Sequence, residues 1–277
     1  MTETSTVHLT SPDGAEARLS LQGGHLLSWL PAGAGEQLYL SPRSEFVAGK
    51  AIRGCVPVCF SQFAERGPLP KHGFARTLLW ELVSLDQGKD DALAVLRLRD
   101  SEATRPLWPH AFELELSVRV GGRVLDIELA CENTGDTPLS FTTALHTYLR
   151  VGDLDAVSVE GLSGLRYFDS IKQAEALQRM DLLLTGEKGV LDLDRIYFGV
   201  KERPLVVTED RRQVVITQQG FDDAVLWNPG PERCAKLPDM PPEGWSEMLC
   251  VEAATVGIPV QLPPGETWVG RQSLNLL

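Results

Sequence analysis

Glu252 is the one charged residue in the run Met248-Leu249-Cys250-Val251-Glu252-Ala253-Ala254. A carboxylate surrounded by apolar residues loses its hydration, so it must be paired, hydrogen-bonded or put to use. Desolvation also raises its pKa toward the range that suits a general base. A second group able to transfer protons is His146, in Thr143-Ala144-Leu145-His146-Thr147-Tyr148-Leu149-Arg150. Strand alternation puts Ala144, His146, Tyr148 and Arg150 on one face, and a face of His, Tyr and Arg is not a core face. Taken alone, that stretch also fits a histidine satisfied by a neighbour on a sheet surface.

Cations gather in Lys71-His72-Gly73-Phe74-Ala75-Arg76-Thr77, where ordinary surfaces intersperse charges of both signs. Arg76 can hold a phosphate in bidentate fashion, Lys71 can add a mobile charge, and His72 can hydrogen-bond a sugar hydroxyl. Arg53 stands beside a glycine just ahead of the apolar run of Ile52-Arg53-Gly54-Cys55-Val56-Pro57-Val58-Cys59-Phe60, where its guanidinium can point from a strand end into a cleft, though by itself it reads more simply as a solvated arginine. Asp192 and Asp194 share one strand face; a plain surface pair of Asp194 with Arg195 explains that segment equally well. Trp227, in Trp227-Asn228-Pro229-Gly230, suits either a sugar ring or the core.

These residues need strands to position them. Phe112, Leu114, Leu116, Val118 and Val120 alternate with polar residues, Gly121-Gly122 turns the chain, and Leu125, Ile127, Leu129 and Cys131 continue the pattern. That is a β-hairpin with one wet face. Shorter alternating runs are Ala15-Leu21, His25-Leu30, Leu78-Leu85, Ala92-Arg99, Ser140-Val151, Leu205-Thr208, Val214-Gln218, Val225-Asn228, Met248-Ala254 and Thr267-Leu274. Many short strands between turn signals predict an all-β sandwich of antiparallel sheets. Ser170-Met180 alone has helix-like spacing, with Ile171, Ala174 and Leu177 three apart. Expected loops are Pro31-Gly35, Ser41-Lys50, Glu65-Lys71, Gly186-Gly189 and Asn228-Gly244, none long or polar enough for a domain linker. A single domain over residues 1–277 is expected.

The formal charge of -12 argues against a nucleic-acid partner, which needs a basic surface. It also requires that any anionic substrate be met by a local cluster of cations. Met1-Thr10 lacks a cationic start followed by an apolar stretch, and no run approaches the length of a membrane span, so the expected location is the cytoplasm. Five cysteines, Cys55, Cys59, Cys131, Cys234 and Cys250, are an odd number lying partly in strand-like runs, which fits reduced, buried thiols. Cys55 and Cys59 have only His25 and His72 near them, without finger spacing, so no metal is expected.

Seven segments in this order, IRGCVPVCF, KHGFART with Trp80 following, ALHTYLRV, LDRIY, VLWNPG, MLCVEA and LPPGETW, resemble the hexose-6-phosphate mutarotases. These form the glucose-6-phosphate 1-epimerase branch of the aldose 1-epimerase (galactose mutarotase-like) superfamily. The resemblance covers nearly the whole chain and implies the superfamily's β-sandwich, no cofactor and a small phosphorylated hexose as partner. It implies His146 and Glu252 as catalytic acid and base, Arg53, Lys71 and Arg76 facing the phosphate, and Asp194 and His72 as further substrate-binding positions. Cys55, Ser61, Lys71 and Gly230 depart from the usual glycine, proline, neutral residue and aromatic, which bears on sugar preference and the rim of the cleft. A monomer is expected.

Exchanging anomers requires one proton to leave the C1 hydroxyl and one to reach the ring oxygen, so a carboxylate and a histidine suffice. The simplest cycle starts with Glu252 ionised and His146 protonated, with a histidine pKa near about 6.5. Competing readings are a non-catalytic sugar-binding protein on the same sandwich, a mutarotase for unphosphorylated aldoses, and a glycosidase using Glu252 with Asp194.

Overall fold

The computed structural model describes residues 6–184 and 192–277. The expected loop Gly186-Gly189 and the first half of Met1-Thr10 lie outside them. Among the described residues there are three sheets. A small one pairs Thr6–Thr10, Glu16–Ser20 and His25–Leu30. An eight-stranded sheet runs Ala174–Leu177, Arg166–Asp169, Leu193–Tyr197, Asp223–Asn228, Met248–Leu262, Leu139–Leu145 and Val58–Cys59, with Tyr148–Arg150 also paired to Met248–Leu262. A nine-stranded sheet runs Leu182–Leu183, Val157–Glu160, Leu205–Glu209, Arg212–Gln219, Thr267–Leu276, Val124–Glu132, Glu113–Gly121, Ala92–Arg99 and Glu81–Gln87.

The expected hairpin lies inside the nine-stranded sheet, Glu113–Gly121 against Val124–Glu132 in antiparallel register. Leu114, Leu116, Val118 and Val120 are buried, as are Leu125, Ile127, Leu129 and Cys131. That apolar face shares one core with Leu249, Val251 and Ala253 of the eight-stranded sheet, so the two large sheets form the sandwich. Gln272 stitches them together from a fully buried position. It accepts a hydrogen bond from the Thr147 hydroxyl at 2.5 Å and donates one to the Val251 carbonyl at 3.0 Å.

Alternation has a second consequence on Met248–Leu262. While Leu249, Val251 and Ala253 face the sandwich core, Cys250 and Ala254 belong to separate clusters on the outer face of the sheet. Cys59, Ala144, Ile196 and Val225 share that outer face. It is roofed rather than solvated, and Glu252 points into it.

Several expected elements change form. Ser170-Met180 is not helical: it contains the exposed strand Ala174–Leu177, paired with Arg166–Asp169. Asp169 Oδ1 accepts the Ile171 and Lys172 N–H groups at 3.1 and 2.9 Å, which favours a turn over a segment too short to nucleate a helix. Ser140-Val151 is two strands, Leu139–Leu145 and Tyr148–Arg150, interrupted at His146 and Thr147. Met248-Ala254 extends to Leu262 through a bulge between Thr255 and Val260. The loop Asn228-Gly244 contains one short helix, Gly230–Cys234. All five cysteines are free and buried. Among the described residues no helix is long and apolar enough to cross a membrane.

Candidate active site

The strand break at His146 decides where its ring goes. Its N–H donates to the Pro57 carbonyl at 3.0 Å, while the next side chain, Thr147, is committed to Gln272 in the core. The imidazole therefore turns to the outer face and stacks on Tyr148, with centroids 4.8 Å apart and planes 12° from parallel. Glu252, 1% exposed, arrives on the same face from the neighbouring strand. His146 Nδ1 lies 3.4 Å from Glu252 Oε1, within reach of an ion pair but not aligned as a hydrogen bond. His146 Nδ1 and Glu252 Oε2 are buried without a hydrogen-bond partner. Leaving such an atom unsatisfied costs about 1–3 kcal/mol, a cost that native structures carry mainly where the group has work to do.

His72 completes a second wall. Its ring centre is 5.3 Å from that of His146. Nδ1 sits 3.1 Å from the Cys59 thiol and accepts the Ala64 N–H at 3.3 Å, so in the neutral ring the proton is on Nε2. His72 holds φ 65, a left-handed conformation that is uncommon away from glycine. Gly73 follows at φ 69, where an added Cβ would collide with the Phe60 carbonyl.

Above these groups opens a cleft of about 570 Å³, and Arg53, Lys71, His72, Arg76, His146, Asp194 and Glu252 all line it. The seven residues singled out in the sequence are thus brought to one place. Arg53 is held firmly: Nε and Nη2 both reach Asp239 Oδ2 at 3.1 Å, and Nη1 donates to the Tyr148 hydroxyl at 3.1 Å. Asp194 lies 3.4 Å from Arg233, which also pairs with Asp192. The Asp194–Arg195 pair weighed from sequence is not formed, since Arg195 turns to Asp169 and stacks on Tyr167. Arg76 has no carboxylate partner among the described residues. It donates through Nη2 to the Lys71 carbonyl at 2.8 Å, and its buried Nε is unpartnered.

Electrostatics corrects one expectation. Burial, reinforced by His72, Arg76 and Arg53, pushes His146 well below the ordinary histidine value. Burial, with Asp194 adding to it, pushes Glu252 well above the ordinary carboxylate value. The resting pair is therefore driven toward neutral imidazole and protonated carboxyl, not toward the ion pair with a histidine near 6.5. Burial likewise keeps His72 neutral, down to about 2.

Tyr148, Arg233 and Asp239 were not singled out as site residues. Tyr148 shares the His146 face, so its role was partly visible in the alternation. Asp239 and Arg233 sit in a proline-rich loop whose local sequence carries no such signal. Trp227, open between two readings, stands at the cleft wall, edge-on to His146 at 6.0 Å. The departure at Cys55 has a physical counterpart, since Cys55 holds φ 53, a conformation glycine adopts freely, and its thiol donates to the Leu27 carbonyl at 3.0 Å. The cysteines and histidines weighed for zinc are otherwise engaged, His25 with the Gly54 carbonyl and Cys59 with His72. Among the described residues, the group with metal-ligand spacing is instead His146, Cys250 and Glu252, whose ligand atoms lie within 4.8 Å of one another.

The chain is similar over most of its length to known proteins. The aldose 1-epimerase family model matches residues 5–275. A protein of Escherichia coli (strain K12), provisionally named a glucose-6-phosphate 1-epimerase, is 39% identical over 86% of this chain and 79% of its own. One from Cenchrus ciliaris with the same provisional name is 34% identical over 94% of this chain and 80% of its own. A crystal structure from Salmonella typhimurium, provisionally named a mutarotase, superposes with a TM-score of 0.88 at 32% identity, covering 98% of this chain and 90% of the other. The chain belongs to the aldose 1-epimerase family.

Proposed function

We propose that the chain is an isomerase, a mutarotase that interconverts the α and β anomers of a hexose 6-phosphate, D-glucose 6-phosphate first among them. The observation that carries this reading is the buried His146–Glu252 approach of 3.4 Å in a cleft lined by Arg53, Lys71 and Arg76. The names of the relatives support the same substrate.

One proton serves the pair. Protonated Glu252 beside neutral His146 holds as many protons as carboxylate beside imidazolium, so the reactive form arises by moving that proton from Oε1 to Nδ1. Glu252 then takes the C1 hydroxyl proton while His146 gives a proton to the ring oxygen. The bond from C1 to the ring oxygen breaks, leaving an aldehyde. Rotation about C1–C2 and reclosure on the other face return both protons with the roles reversed. His72, fixed as an Nε2–H donor, hydrogen-bonds a sugar oxygen, and Arg53 and Arg76 hold the phosphate with Lys71 beside them. Asp194, steadied by Arg233, accepts from a sugar hydroxyl.

The same proposal takes the chain as one domain acting as a monomer in the cytoplasm. The core shared by both large sheets supports the single domain. Exchange NMR across phosphorylated and free sugars tests the reading. Faster anomer exchange for glucose 6-phosphate than for glucose is expected. Saturable binding without faster exchange would instead select a sugar-binding protein, and release of reducing sugar from a disaccharide a glycosidase.

A further inference from the structure

We propose that His146, Cys250 and Glu252 also form a site for a thiophilic divalent transition-metal ion of the Zn²⁺ type, and that a metal seated there blocks anomer exchange. The inhibition rests on the function proposed above, whereas the binding stands on geometry alone.

Strand alternation places Cys250 and Glu252, two residues apart, on the outer face of one strand. Cys250 lies in register with Tyr148, whose ring carries the stacked imidazole of His146. The His146, Cys250 and Glu252 ligand atoms all fall within 4.8 Å of one another, and the nitrogen-to-oxygen separation is 3.4 Å. Tetrahedral zinc, with bonds of about 2.0–2.3 Å, sets its donors about 3.3–3.6 Å apart. Nitrogen and oxygen already meet that spacing, and the sulfur needs to close by about 1.5 Å at most, a shift that side-chain rotation can supply.

A second observation points to a ligand. His146 Nδ1 and Glu252 Oε2 are buried without hydrogen-bond partners, in side chains 8% and 1% exposed. Both are lone-pair groups able to coordinate a cation, and the fully buried Cys250 stands beside them.

One imidazole, one thiolate and one carboxylate form the donor set of zinc and cobalt, whereas Mg²⁺ and Ca²⁺ require shells of oxygen ligands. On binding, the Cys250 thiol and any protonated Glu252 carboxyl release their protons to solvent. Water takes the fourth position, facing the cleft. The metal occupies the Glu252 oxygen and His146 Nδ1 through which the pair exchanges its proton, so inhibition is competitive with the sugar and reversed by a chelator.

Titration of the full chain with Co²⁺ tests this. The expected result is a thiolate-to-cobalt charge-transfer band that saturates at one equivalent, is displaced by Zn²⁺ and is unaffected by Mg²⁺. In Cys250→Ala the band disappears and metal affinity falls more than about 100-fold, beyond what losing an outer partner of a ligand costs, while exchange without metal is kept. In the native chain, loss of the band on adding glucose 6-phosphate gives the same answer without a variant. A native chain that shows no band, or a band that persists in Cys250→Ala, overturns the proposal. A chain that binds Co²⁺ through Cys250 but exchanges no anomers would refute the proposed function and leave the metal site standing.

Discussion

Arg76→Ala separates phosphate recognition from sugar chemistry. Arg76 has no carboxylate partner among the described residues, and its buried Nε is unsatisfied, so its removal strands no opposite charge. Arg53 differs, because removing it leaves Asp239 without its guanidinium. A hydrogen bond to a charged group contributes about 1.5–3 kcal/mol. Losing one such contact to the phosphate lowers kcat/KM for glucose 6-phosphate about 10- to 150-fold. For unphosphorylated glucose only the residual field of Arg76 on His146 and Glu252 is lost, so the decrease stays within about fivefold, the scale of about 1 kcal/mol. Saturation-transfer NMR of the anomeric protons measures both sugars in one instrument, with circular dichroism confirming the fold. Equal losses on the two sugars would refute the placement of the phosphate.

The pair that shares one proton predicts a wide pH plateau. Because His146 is pushed down, the acid limb, where a second proton arrives, falls below the ordinary histidine value. Because Glu252 is pushed up, the alkaline limb, where the last proton leaves, falls above the ordinary carboxylate value. Rates on unphosphorylated glucose, free of the phosphate's own ionisation, check this; an acid limb centred at an ordinary histidine pKa would contradict it. Glu252→Gln stabilises the fold at neutral pH, since a carboxyl whose folded pKa is raised loses stability as pH rises through and above its unfolded value. Thermal melts should show the variant's advantage at neutral pH and its disappearance below the unfolded carboxylate pKa; an advantage independent of pH would count against a raised Glu252. Thr147→Val leaves buried Gln272 without its donor and should cost about 1–3 kcal/mol in urea unfolding, and an unchanged midpoint would deny the stitch between the sheets.

Local patterns were legible wherever neighbours in sequence decide the outcome. The hairpin follows from alternation within one run, and buried Glu252 from being the one charge in an apolar run. His146 is harder, because its meaning depends on a strand break and on a carboxylate delivered by a distant strand. Alternation correctly put Tyr148 on its side, yet gave no sign that both rings would be buried. Ser170-Met180 misled because spacing of three mimics a helix where an aspartate cap and a strand partner decide otherwise. The Arg53–Asp239 and Asp194–Arg233 pairs join segments far apart in the chain, and no local pattern encodes them. The resemblance supplied what the local signals lacked, which is that these segments meet in one cleft.

The central claim is that His146 and Glu252 perform the proton transfers. It is tested most directly by anomer-exchange NMR of glucose 6-phosphate with the native chain, Glu252→Gln and His146→Asn, each confirmed folded. The account predicts that either variant loses roughly 100-fold or more of the catalysed rate, the scale of general acid–base catalysis. Near-native exchange in either one would contradict it.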